Sequence, residues 1–172
     1  MRSTSHRVGT AATATLLATV SGLGATPSAR ADGTPINGTY IATSVGEWAQ
    51  TNLAYHDEPT VRSTWTITSS CTTYQDCSGQ VTSDQGWSAP LNTHDGGFWY
   101  VRRDVPNWEQ CPDGTAATGR QTYTFYYAGP DAKQQPGSST LAGRDKTVGP
   151  SGACGVNRWL VVEMPFRLDK IA

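Results

Sequence analysis

The chain has 172 residues, a formal net charge of −1, and 16% charged and 9% aromatic residues. Its lysines and arginines are sparse and scattered, and no basic stripe accompanies the aromatics, so nucleic-acid binding and attraction to an anionic membrane surface are both disfavoured. Every Asp and Glu follows residue 31, whereas Arg2, Arg7 and Arg30 precede residue 32, so the chain beyond that point is more acidic than the whole.

First in chain order comes a stretch with the pattern of a secretory signal, residues 1–31. Arg2, His6 and Arg7 make a basic front, residues 8–23 an uncharged Leu/Ala/Val/Thr core, and Ala29-Arg30-Ala31 the small-residue pair that signal peptidase reads. The core is too short, and too diluted by Thr, Ser and Gly, to span a bilayer, which takes about twenty apolar residues. No cysteine stands at residues 21–25 to carry a lipid anchor. The expected product starts at Asp32 and is secreted, to the extracellular space or the cell envelope, free of the membrane once the signal is cleaved. Residues 32–172, about 140 in number, suit a single domain with one core.

Beyond a polar lead-in at residues 32–37, short alternating runs are separated by Gly, Pro, Asn, Asp and Ser, the texture of an all-β domain. Residues 38–44 alternate. Residues 63–69 put Trp65 and Ile67 on one face and Thr64, Thr66 and Thr68 on the other, a strand with one wet side. Residues 97–103, 122–127 and 159–164 are further strands rich in aromatic or β-branched side chains, with weaker candidates at 47–53, 80–83, 87–92 and 139–148. Residues 106–119 and 129–138 read as long loops, and Gly149-Pro150-Ser151-Gly152 as a turn-rich break. No window holds apolar residues at three- and four-residue spacing long enough for a three-turn helix. The pattern predicts a single antiparallel domain, preferably an up-and-down β-barrel, with a two-sheet sandwich as the alternative.

All four cysteines, Cys71, Cys77, Cys111 and Cys154, lie beyond the cut, and an even count in an exported chain argues for two disulfides. Of the three possible connectivities, Cys71–Cys77 with Cys111–Cys154 is preferred, because the short polar link from Cys71 to Cys77 joins two strand-like runs and its closure would pin a hairpin. The spacings are not those of paired zinc knuckles, and no metal or other cofactor is expected.

His56, in Tyr55-His56-Asp57-Glu58-Pro59, and His94, in His94-Asp95-Gly96-Gly97, lie beside carboxylates. Brought together they could serve an extracellular hydrolase, but next to Gly or Pro the pattern is ordinary turn chemistry, and no catalytic residue is assigned. No Gly-x-Ser-x-Gly elbow is present.

The six tryptophans carry the stronger hint. With few aliphatic residues to bury, most rings must build the core. Trp108, in the segment read as a loop, can cap a barrel mouth or stack on a ligand, and Trp99, between Phe98 and Tyr100, sits in a strand with an aromatic on each face. These two are the candidate ligand-binding residues of a non-catalytic domain that takes a small apolar ligand or an envelope component in an aromatic-lined pocket. A saccharide-binding module using exposed rings as platforms is the alternative.

Residues 65–71 with Cys77, Val105-Pro106-Asn107-Trp108 leading to Cys111, and Leu141-Ala142-Gly143 ahead of residues 149–154 resemble small exported mycobacterial proteins of unknown function. The resemblance extends over essentially all of residues 32–172. It implies export, paired cysteines and a β-rich fold, and no catalytic residue.

Overall fold

A computed structural model describes residues 34–172; the leader and the expected cut before Asp32 lie outside them. Ten strands form in chain order: β1 (Gly38–Ser44), β2 (Gln50–Thr51), β3 (Ala54–Tyr55), β4 (Val61–Cys71), β5 (Cys77–Ser83), β6 (Trp87–Thr93), β7 (Trp99–Gln110), β8 (Ala116–Tyr127), β9 (Thr140–Val148) and β10 (Val161–Lys170). Strands β4 to β10 pair each with the next, all antiparallel, and β1 closes the sheet by pairing with both β4 and β10. The result is the expected barrel, with eight staves, rather than a sandwich.

The small hairpin β2–β3 is an outgrowth of the closing stave. Val45 donates its N–H to the carbonyl of Pro165 and the chain then leaves the ladder, rejoining β10 at Gln50 opposite Glu163. The N–H and C=O of a strand residue point to the same neighbour, so the N–H that Pro165 lacks is missing on the side where β1 breaks off. Asn52 and Leu53, at φ of 52° and 68°, make the tight turn at the tip.

The ladder register gives the barrel two ends. The terminal end carries residues 34–37 and 171–172 together with the turns at 72–76 and 94–98 and the loop at 128–139; the distal end carries 45–60, 84–86, 111–115 and 149–160. Disulfide Cys71–Cys77 bridges directly opposed residues at the tip of the β4–β5 hairpin, and Cys111–Cys154 joins the β7–β8 turn to the β9–β10 loop. Both bonds match the preferred pairing.

Alternation sends every second side chain inward, and the interior fills with rings. Trp65 meets Trp87 at 5.2 Å and Tyr123 at 4.8 Å edge to face, with Phe166 tilted against it at 5.2 Å and Phe125 at 6.5 Å. Such edge-to-face contacts add to area burial because the positive ring edge meets the negative face. Ile67, Val81, Leu91, Val101, Leu141 and Leu168 complete the terminal half, each buried to 1% exposure or less.

Three segments depart furthest from the sequence reading. Strand β10 starts two residues later than expected and runs six residues further, because Pro165 stands outward in it and costs only the bond that β1 abandons. The segment at 47–53 is a 3₁₀ turn (Gly46–Trp48) followed by the two-residue β2. Most of the long loop predicted at 106–119 is strand, since β7 and β8 continue through it around an irregularity between Val105 and Glu109, where Asn107 adopts φ of 54°.

Trp99 is 2% exposed inside this core. Trp99→Ala is expected to lower stability by about 3–5 kcal/mol, measured by urea unfolding. Loss of Cys111–Cys154, which closes 43 residues, should cost about 4 kcal/mol on the chain-entropy account, and loss of Cys71–Cys77, which closes six, about 2 kcal/mol. Single Cys-pair replacements read by the shift in urea midpoint test that order.

Candidate functional site

The two histidines do not meet. His56 lies at the distal end, with Nδ1 3.0 Å from Glu58 Oε1, and His94 at the terminal end, with Nδ1 3.3 Å from Asp76 Oδ1. A filled barrel separates them, so the arrangement that the hydrolase alternative requires does not form. The His94-Asp95-Gly96-Gly97 segment is a turn in which the Asp95 carboxylate accepts N–H bonds from Gly97 and Phe98, both at 2.9 Å. The Phe98 and Gly97 bonds hold the Asp95 carboxyl below its ordinary range.

Trp99 and Trp108, the two rings singled out from the sequence, take different places. Trp99 is core. Trp108 is half-buried on β7, and beyond the irregularity at Asn107 its ring folds over the distal end of the barrel. Glycine makes that possible: a Cβ on Gly119 would stand 2.7 Å from both the Trp108 ring and Thr147 Cγ2, and one on Gly149 would stand 3.2 Å from the same indole. Trp108 thus caps the mouth with its own ring.

Beneath that cap the interior turns polar. Asp145, 2% exposed, accepts bonds from the Ser44 hydroxyl at 2.7 Å and from Gln121 Nε2 at 2.8 Å; Gln121 Oε1 in turn accepts from Arg103 Nε at 2.7 Å. The Arg103 guanidinium lies 4.3 Å from the centre of the Trp87 ring. Burial raises the Asp145 carboxyl above its ordinary value, outweighing the Ser44 and Gln121 bonds and the Arg103 charge. Tyr123, buried beside it, is likewise raised, by burial first and then by the Asp145 charge.

The concave surface lies outside, on the wall formed by β7, β8, β9 and β10. The outward residues form cross-strand rows: Arg102 opposes Thr122, Thr122 opposes Lys146, and Lys146 opposes Glu163. In the adjacent row Asp104 opposes Arg120, which opposes Val148. The β9–β10 loop arches over this wall and forms two open grooves, of about 740 Å³ and about 600 Å³. Trp159 and Lys146 line both. The larger groove adds Arg102, Asp104, Arg120 and Thr122; the smaller adds Leu53, Asn52 and Arg158.

Trp159 is 61% exposed, and Leu53, at 88%, projects from the hairpin tip beside it. The loop that presents Trp159 is tied down on several sides. Cys154 joins it to Cys111, Gly149 N–H reaches Leu160 C=O at 2.8 Å, and Asn52 clamps Val161 through N–H to C=O at 2.8 Å and Oδ1 to N–H at 3.1 Å. The sequence reading missed Trp159 by counting it as the first residue of the last strand. The signal was present in Gly155-Val156-Asn157-Arg158, whose polar and glycine content marks a loop running to the edge of the Leu160-Val161-Val162 run.

An eight-stranded, all-antiparallel barrel with a filled interior and a grooved outer wall defines the structural class. Among solved structures, the chain is similar to the M. tuberculosis PknI sensor domain in its monomer form, with TM-score 0.56, 16% sequence identity, and coverage of 80% of this chain and 88% of that one. At that identity the likeness is one of fold. No protein-family model and no curated protein matches the chain.

The buried carboxylate gives a pH prediction. A raised native value means that the folded state holds the Asp145 proton more tightly than the unfolded chain. Its contribution is therefore fully present below the ordinary value of 3.8 and lost as pH rises through the native value. Asp95, Asp113 and Asp131 are lowered, and their contributions are lost as pH falls below 3.8. The urea midpoint should fall with rising pH above that value, and Asp145→Asn should flatten this limb while leaving the acid limb in place.

Proposed function

We propose that the chain is an exported, non-catalytic binding domain whose ligand docks on the outer wall around Trp159, and that the ligand is a saccharide component of the cell envelope. The observation that carries this reading is a largely exposed tryptophan shared by two grooves of about 740 and 600 Å³; the other exposed indole, Trp48 at 70%, lines a groove of about 230 Å³. An indole face offers a flat apolar platform, and the neighbouring Thr122, Asn52 and Lys146 offer hydroxyl, amide and ammonium groups to a polyhydroxylated partner. Two disulfides suit an oxidising compartment. The likeness of fold to a domain described as a sensor supports recognition rather than turnover.

On this reading the ligand-contacting role falls to Trp159. Trp108 stands behind the groove, its ring against Gly149, and Trp99 holds the barrel that carries the wall. Titration of the purified chain with polygalacturonate or its methyl ester, followed by intrinsic tryptophan fluorescence, is the test. Trp159→Ala should weaken binding at least about tenfold, which is 1.4 kcal/mol, while shifting stability by no more than about 0.5 kcal/mol, the range of exposed positions. Unchanged affinity in that variant would remove the groove from consideration.

A further inference from the structure

We infer that the ligand of the Trp159 grooves is a linear acidic glycan, a saccharide chain bearing carboxylate or phosphate groups, an assignment that rests on the binding role proposed above. The first reason is charge. The whole chain carries a formal charge of −1, yet the groove walls present Arg102, Arg120, Lys146 and Arg158 against one carboxylate, Asp104. Asp104 engages only Arg120, at 3.5 Å, and the carboxylate nearest Lys146, Glu163 at 4.0 Å, is drawn to Arg144 at 2.9 Å. Among the described residues neither Arg102 nor Arg158 has a carboxylate partner within salt-bridge distance, so their charges are free to meet an anion. Four cations gathered around these two grooves, three on the wall and Arg158 on the loop, set up a local field that a neutral ligand would not use.

The second reason is shape. The two grooves meet at Trp159 and Lys146, so a molecule long enough to occupy both passes across the indole and beside the ammonium. Arg102, Thr122 and Lys146 form one cross-strand row, and neighbouring staves stand about 4.8 Å apart. Charge and hydroxyl therefore recur along the path, as the acid and hydroxyl groups of a saccharide chain do. An arginine adds a flat two-pronged donor that matches a carboxylate or phosphate. A bilayer surface fits poorly, because Arg102 and Lys146 lie along groove walls beneath the arching loop rather than on a protruding tip.

The test compares polygalacturonate, which carries a carboxylate on each sugar, with its fully methyl-esterified form, which keeps the same backbone without charge. The chain with both disulfides intact is titrated with each by calorimetry. The acid is expected to bind at least about tenfold more tightly than the ester. That preference should shrink as salt rises from about 0.01 to about 0.15 M, where the screening length falls from about 30 to about 8 Å. Arg102→Gln and Arg158→Gln should each lower affinity for the acid several-fold and leave the ester unaffected, and Trp159→Ala should weaken both. Equal binding of acid and ester would overturn the acidic class while leaving the groove as a saccharide site. Binding of neither would overturn the binding role itself. Binding only to vesicles of equal parts phosphatidylglycerol and phosphatidylcholine would replace the glycan with a membrane surface.

Discussion

An eight-stranded barrel closes around an interior just wide enough for side chains to fill, and whatever the chain places there must fill it without gaps. Here the supply of leucine and isoleucine is thin, so the packing falls to rings. Trp65 stands at the centre, with Trp87, Tyr123, Phe125 and Phe166 around it on three other staves, and each of those rings comes from the inward phase of its strand. Closure of the sheet and packing of the rings are one requirement. A stave displaced by one residue would turn its ring to solvent and open a void against Trp65.

A core built this way leaves little room for a ligand inside, and that shapes where recognition can occur. The distal half of the interior holds Ser44, Gln121 and Asp145 in a connected hydrogen-bond network, roofed by Trp108 over Gly119. Its members satisfy one another, with Arg103 supplying the compensating charge. The outward phase of the same strands is free of packing duty and can carry Arg102, Arg120 and Lys146 in rows at no cost to the core.

The second disulfide connects these two levels. Cys111–Cys154 spans from the β7–β8 turn to the β9–β10 loop, so the bond that restricts the unfolded chain most also anchors the loop presenting Trp159. The hairpin β2–β3 supplies the other wall, and it exists because Pro165 interrupts the ladder where β1 would otherwise continue.

Much of this architecture was legible in the residues. Alternation along 63–69 and 38–44 sets strand and face, because a period of two has only one orientation that buries Trp65 and Ile67. The short polar link between Cys71 and Cys77 sets the hairpin, and with it the pairing of the remaining two cysteines. Local pattern could not reveal that residues 106–119 are mostly strand: Pro106, Asn107 and Gly114 read as turn chemistry, and only pairing with β8 holds the backbone extended around the irregularity. Nor could it separate Trp99, Trp108 and Trp159, since a tryptophan beside β-branched residues looks the same whether it points inward, folds over a mouth or stands in solvent. Composition and alternation determined an all-β antiparallel domain, because that depends on each strand's own two faces, whereas closure into a barrel rather than a sandwich came from the pairing of β1 with both β4 and β10. The groove was decided by tertiary structure alone, because Arg102, Lys146, Leu53 and Trp159 are distant in sequence and become neighbours only when the register of four staves and one clamped loop brings them to the same wall.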